Sequence, residues 1–212
     1  ILRLFRPVRH FTRFDEGLPI DRYYIDNYLD TFIQDIRGHV LEIGDDTYTS
    51  RYGGERISKS DVLHVTDGNP KATIIADLTC ADNIPSDTFD CIIVTQALQY
   101  IYDVQAAINT LYRILKPGGV LLASVPGIAA ISRYDMDHWG EYWRFTSMST
   151  RRIFETIFPA GSVDVQTHGN MLTAIAFLLG LASEELGENE LNYCHPDFQV
   201  LLTVRAVKPR VK

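Results

Sequence analysis

Val40-Leu41-Glu42-Ile43-Gly44-Asp45-Asp46 is an apolar run that ends in an acid, a glycine and a turn. Read as a buried strand, it delivers Glu42 and Gly44 to the carboxyl end of the first strand of an α/β sheet, where such folds bind ligands. Outward from it, short apolar runs recur at His39–Ile43, Val62–Val65, Thr73–Ala76, Cys91–Val94 and Val120–Val125. Helical spacing predicts an amphipathic helix over Asp21–Ile36 and another over Val104–Leu115, the latter stopped by Lys116-Pro117-Gly118-Gly119. Strands alternating with helices imply a mostly parallel sheet covered on both faces. Beyond it, the pattern predicts a helix at Ser149–Phe158, a strand at Ser162–Thr167, a helix at Met171–Leu186 and a final strand at Phe198–Val207.

The 212 residues suit one core, and 46% hydrophobic with 22% charged residues is ordinary globular composition. A net charge of −7 argues against a nucleic-acid partner bound by bulk phosphate neutralisation. Charge is uneven: Ser60–Thr110 holds seven Asp and Lys71 alone as a cation, whereas residues 1–14 hold four Arg and no acid. Cys80, Cys91 and Cys194 are odd in number and form no C-x-x-C pair, so the expectation is a reducing, cytoplasmic setting without a disulfide framework or metal site. The apolar stretch Met171–Ala182 is too short for a bilayer span, and no membrane partner is expected.

Three expected strand ends carry acids: Glu42, Asp67 and Asp77. One glycine stands where a dinucleotide fingerprint has three, so a pyrophosphate cradle is absent. Asp67 is read either as a ribose-binding acid or as part of the turn Asp67-Gly68-Asn69-Pro70, and Asp77 either as a ligand contact or as a loop cap.

With Phe89-Asp90 opening the fourth strand, Thr95-Gln96 closing it, and Arg113-Ile114-Leu115-Lys116-Pro117-Gly118-Gly119 following, the chain resembles the class I S-adenosylmethionine-dependent methyltransferases, in their small-molecule, type 11-like branch. The resemblance runs from about Arg37 to Val125. It implies a Rossmann-like seven-stranded sheet, mostly parallel with an antiparallel last strand, helices on both faces and an N-terminal helical lid. Residues 1–36 are then an arm and lid, and 37–212 the methyltransferase domain. It further implies S-adenosyl-L-methionine as cofactor, left as S-adenosyl-L-homocysteine. Glu42 and Gly44 match the motif at the cofactor's amino-acid end, and Asp67 falls near the ribose acid. Asp77 matches the adenine contact with Leu78 beside it, and Thr95 and Gln96 match the loop along the methionine part. Asp45, Asp46 and Thr47 stand where the family usually shows further glycines.

Two segments outside these motifs are rich in aromatic and ionisable groups, which suits contact with an acceptor. Asp21-Arg22-Tyr23-Tyr24 opens the first helix, and Tyr134-Asp135-Met136-Asp137-His138-Trp139-Gly140-Glu141-Tyr142-Trp143-Arg144-Phe145-Thr146 holds both tryptophans. Arg22, Tyr23, Tyr24, Trp139, Trp143 and Arg144 are the expected substrate contacts. Methyl transfer to oxygen needs a base, for which His138, Tyr134 and Asp135 compete. The expected reaction is methylation of a small molecule, at a hydroxyl of a sugar or secondary metabolite in glycan or natural-product biosynthesis. A homodimer is one arrangement compatible with it. The alternative is a scaffold of the same fold with weak or lost turnover.

Overall fold

The computed structural model describes residues 17–210; the arginine-bearing stretch 1–14 lies outside the described residues. Its sheet has seven strands in the order β3-β2-β1-β4-β5-β7-β6. In chain order these are β1 Gly38–Ile43, β2 Ile57–His64, β3 Ile74–Ile75, β4 Phe89–Thr95, β5 Leu115–Pro126, β6 Val163–His168 and β7 Leu201–Val207. β1, β2, β3, β4 and β5 pair in parallel, and β7 runs antiparallel to both β5 and β6. This is the Rossmann-like sheet expected, with its last strand reversed.

Among the described residues, seven α-helices surround it: α1 Ile20–Thr31, α2 Thr47–Tyr52, α3 Val104–Ile114, α4 Arg133–Trp139, α5 Ser147–Glu155, α6 Met171–Leu179 and α7 Glu188–Asn192. Strand alternation feeds two cores. Leu41, Ile92, Val94, Leu121 and Ala123 pack on one face with α3 and α5 residues Ile108, Leu111 and Phe154. Val40, Cys91, Ile93 and Leu122 pack on the other with Ile25 and Leu29 of α1 and Phe177 of α6. Helix α1 is therefore a core element over most of its length; Tyr28 even donates its hydroxyl to the Val204 carbonyl at 2.6 Å.

The family-like run after α3 has structural work to do. Arg113 donates to the carbonyls of Ile84 and Ala81 at 2.6 and 2.7 Å, clamping the loop that follows β3. Lys116 sits 2.8 Å from Asp90, whose carboxylate also accepts the His39 amide. No loop separates α3 from β5: the strand starts at Leu115, pairing with Phe89 ahead of a bulge, rather than at Val120.

Other boundaries move for identifiable reasons. The helix expected over Met171–Leu186 ends at Leu179, because Gly180 turns left-handed (φ 75°) and Gly180 and Leu181 donate back to Phe177 and Ala176. A 3₁₀ turn at Ser183–Glu185 and the short α7 follow. The first helix stops at Thr31, with a 3₁₀ turn carrying the apolar pattern on to the buried Ile36. Helices α2 and α4 carry no apolar stripe long enough to announce them. No helix among the described residues is long and apolar enough to cross a membrane.

Candidate functional site

A cavity of about 800 Å³ opens at the carboxyl ends of β1, β2 and β4. Its floor begins at Ile43-Gly44. Gly44 holds φ 94°, and a Cβ built there would meet nothing within 4 Å, so the backbone faces open space.

Beneath that floor, Glu42 is 2% exposed and accepts hydrogen bonds from the amides of Tyr48 and Thr49 at 3.0 and 2.7 Å, capping α2. Burial pushes its carboxyl up to about 7, against the pull of those amides. Asp45 and Asp46, in the positions of the missing glycines, organise the loop instead. Asp45 accepts from the Thr47 amide at 2.9 Å, and Asp46 pairs with Lys71 at 2.7 Å across to the β2–β3 loop. Arg22 of α1 reaches the same corner and donates to the Tyr48 hydroxyl at 3.2 Å.

The walls are apolar and then polar. Leu63, Ala76 and Leu78 line a slot beside Asp77 and Thr79. Asp77 is fixed by accepting from both the amide and hydroxyl of Thr79 at 2.8 Å. Thr95 and Gln96 line the far wall. Gln96 takes φ 50°, a strained value for a residue with a side chain, held by its amide donating to Ser124 and its carbonyl accepting from Gln99. Gln99 is itself buried, and its Oε1 has no hydrogen-bond partner.

Helix α4 forms the outer wall. Its hydroxyl cap Ser132 accepts from the Asp135 amide, and Asp135 and Trp139 line the cavity. Tyr100 donates to Asp135 at 3.1 Å. Burial, followed by the negative Asp135, pushes that phenol up to about 12, so it stays protonated and donating. Trp139 sets its ring edge-on to His64, centroids 5.6 Å apart, bridging to the end of β2.

The cavity thus gathers Gly44, Asp77, Leu78, Thr95, Gln96, Asp135 and Trp139 from the residues singled out by sequence. Others stand elsewhere. Asp67 is exposed beyond the end of β2, and His64 and Val65 line the cavity in its stead. Tyr23 and Tyr24 face α7, donating to Asn192 and to the Leu191 carbonyl. His138 is exposed, stacked on Tyr134 at 4.1 Å with Nδ1 2.7 Å from that residue's carbonyl, and neither lines the cavity. Trp143 donates to the Ile101 carbonyl at the rim, and Arg144 donates to the carbonyls of Ala129 and Ala130. Tyr100, Tyr102, Asp103 and Tyr142 line it without having been picked out. The signal for the first three was a second aromatic cluster, Tyr100-Ile101-Tyr102-Asp103, directly after the β4 loop. Among the described residues, no cluster of three or more His, Cys, Asp or Glu suits a metal ion.

The slot and its polar lining fit S-adenosylmethionine: an open glycine backbone, an apolar wall with a fixed carboxylate, and, among the described residues, no phosphate cradle. The model of a family described as a methyltransferase domain matches residues 14–174. The chain is similar to ubiquinone/menaquinone biosynthesis C-methyltransferase UbiE of Enterobacter sp. (strain 638), 44% identical over 55 residues covering 24% of this chain and 22% of that protein. Its counterpart from Marinomonas sp. (strain MWYL1) is 50% identical over 38 residues, covering 18% and 15%. These matches span about a fifth or less of the relatives' length. Among solved structures, a SAM-dependent methyltransferase from Archaeoglobus fulgidus superposes with a TM-score of 0.58 at 14% identity, over 88% of this chain and 94% of that one. One from Mesorhizobium loti gives 0.57 at 19% identity, over 86% and 99%. A Haemonchus contortus phosphoethanolamine N-methyltransferase 2, in complex with phosphomonomethylethanolamine and S-adenosylhomocysteine, gives 0.59 at 15% identity, over 91% and 54%.

Proposed function

The chain belongs to the methyltransferase-domain family, with the class I S-adenosylmethionine-dependent fold, and from that premise we propose that it methylates a hydroxyl of a small molecule, with Asp135 as the base. One observation carries the reading: the cavity that holds the cofactor-motif positions Gly44, Asp77, Leu78, Thr95 and Gln96 is closed on its outer side by a carboxylate oriented by a tyrosine.

When bound, S-adenosylmethionine supplies an electrophilic methyl group on a sulfonium. The protein's part is to hold, orient and keep dry. Gly44 lets the backbone approach, while Asp77 and the Leu63–Ala76–Leu78 wall select the adenosine end. Tyr100 holds the Asp135 carboxylate in the cavity, where it takes the proton that the acceptor oxygen sheds as the O–CH₃ bond forms. Trp139, edge-on to His64, adds aromatic surface to the cavity wall. His138, turned toward its own helix, has no part in this scheme.

The acceptors we favour are sugar or secondary-metabolite hydroxyls in glycan or natural-product biosynthesis. The similarity to quinone-pathway C-methyltransferases supports a second acceptor, an aromatic carbon made nucleophilic by deprotonation of a ring hydroxyl, for which the same carboxylate serves. The free cysteines Cys80 and Cys194, both exposed, support a reducing, cytoplasmic setting.

Calorimetric titration with S-adenosylmethionine and S-adenosylhomocysteine tests the first half. Micromolar binding that Asp77→Ala weakens at least tenfold is expected; absence of binding by wild-type protein would leave the scaffold alternative standing. Transfer of a labelled methyl group across a hydroxyl-bearing acceptor panel, abolished by Asp135→Asn with cofactor binding intact, tests the second.

A further inference from the structure

We infer that the acceptor is a flat, unsaturated ring bearing no phosphate or carboxylate. The inference rests on the methyltransferase reading of the cavity and narrows its acceptors, setting sugars aside in favour of secondary metabolites or quinone-like compounds that carry an unsaturated ring. Among the described residues, three carboxylates line the cavity (Asp77, Asp103 and Asp135), and no lysine or arginine does. Two described cations near its edges are already paired. Arg22 is held by Asp21 and Tyr48, and Lys71 by Asp46. A bound sulfonium offsets one negative charge of three, so an anionic acceptor would meet net repulsion in a site partly screened from water. Anion-binding sites are commonly built on guanidinium or ammonium groups, and among the described residues that line this cavity there is none.

The ring half of the inference comes from a second feature. At the mouth, Tyr102 and Tyr142 line the cavity with their rings edge-to-face, centroids 5.3 Å apart, and Trp143 stacks on Tyr102 at 6.0 Å and 27°. Tyr102 and Tyr142 are 71% and 51% exposed, a large cost in hydrated aromatic surface unless a ligand covers it. Asp103 stands beside this platform with its Oδ1 tied up in capping α3 through the Ala106 amide. A planar ring stacked on one of these tyrosines meets the edge of the other, in the same cavity that Thr95, Gln96 and Asp135 line, which suits a ring hydroxyl or ring carbon as the methylated atom.

The test compares a matched pair, catechol and 3,4-dihydroxybenzoate, titrated calorimetrically into protein saturated with S-adenosylhomocysteine. Catechol should bind at least about tenfold more tightly than its carboxylated partner. Asp103→Asn, which keeps the helix cap, should narrow that ratio severalfold by improving the carboxylate's binding, and Tyr102→Ala should weaken catechol about tenfold while S-adenosylhomocysteine affinity stays unchanged. Equal or tighter binding of 3,4-dihydroxybenzoate overturns the inference. So does S-adenosylhomocysteine binding with no catechol binding up to millimolar concentration. Failure of S-adenosylhomocysteine itself to bind removes the cofactor reading beneath both, a separable result.

Discussion

Arg144 holds Glu141 at 2.6 Å, Nη2 to Oε1, and the same guanidinium donates to the carbonyls of Ala129 and Ala130. Glu141 in turn accepts from the Ser132 amide at 3.0 Å through its other oxygen. Ser132 caps α4, so the pair ties the segment after the helix to the loop before it. Its side chains are 28% and 5% exposed, which makes this a half-buried brace rather than a surface ion pair. Arg144→Ala leaves the buried Glu141 carboxylate without its ion partner and removes the donor to the half-buried Ala129 carbonyl, and is expected to lower stability by about 2–4 kcal/mol. Arg144→Lys restores the charge without the fork and should recover only part of it. Urea denaturation measures both, and limited proteolysis should show new cleavage between residues 129 and 140. An intact, equally stable Arg144→Ala protein would return Arg144 to the role of a substrate contact.

Of the three bases considered, Asp135 alone lines the cavity. Asp135→Asn is expected to reduce kcat by about 10²–10⁴ with little change in S-adenosylhomocysteine affinity. His138→Ala should stay within about threefold of wild type. Tyr100→Phe removes the hydrogen bond that orients the carboxylate and should cost about tenfold in kcat, with KM for the cofactor unmoved. A His138→Ala loss matching that of Asp135→Asn would show that α4 rotates in the working enzyme.

Much of the sheet was legible because buried parallel strands write themselves as short β-branched runs: Val40-Leu41 and Cys91-Ile92-Ile93-Val94 each feed both cores. Gly44, Asp77, Leu78, Thr95 and Gln96 could be placed on the cavity because they sit at strand ends, fixed by local sequence, whereas Glu42 and Asp67, also expected there, do not line it. The acceptor side was not. Helix α4 spans seven residues, none of them buried, and so shows no apolar stripe. It joins the cavity wall through Trp139 meeting His64, a contact between residues 75 positions apart. Tyr23 and Tyr24 misled for the converse reason. Their polar hydroxyls suggested a ligand, whereas tertiary packing turned them to Asn192 and to the Leu191 carbonyl.

Gly44 separates cofactor binding from folding. Its φ of 94° makes any side chain there cost about 1–2 kcal/mol in backbone strain, but no atom lies within 4 Å to clash with a Cβ. Gly44→Ala should therefore fold with a modest loss of stability, while its methyl group projects into the space the cofactor would occupy. The expected loss in S-adenosylhomocysteine affinity is at least about thirtyfold, well beyond the fold-change of any surface substitution on α5. Unchanged affinity would place the cofactor away from the β1 loop.

Two buried groups give stability opposite pH dependences. Burial drives the His168 imidazole down to about 4, where it lies against Tyr24 with Nε2 2.9 Å from the Thr203 hydroxyl. The unfolded chain protonates near 6.5, so His168's contribution is present above that pH and is lost as pH falls toward 4. Glu42 runs the other way. Its folded carboxyl holds a proton up to about 7, whereas the unfolded one releases it near 4.3, so its contribution is largest in acid and is lost as pH rises through 7. Each shift corresponds to about 3–4 kcal/mol at full extent. Between pH 4.5 and 6.5 the two slopes oppose each other and the wild-type curve should be comparatively flat. Glu42→Gln, which keeps an oxygen for the α2 amides, should expose the rising His168 limb. His168→Gln should expose the falling Glu42 limb, steepest between pH 5 and 7. Urea midpoints of the three proteins from pH 4 to 8 measure this directly, and three parallel curves would show that neither group titrates differently in the folded and unfolded states.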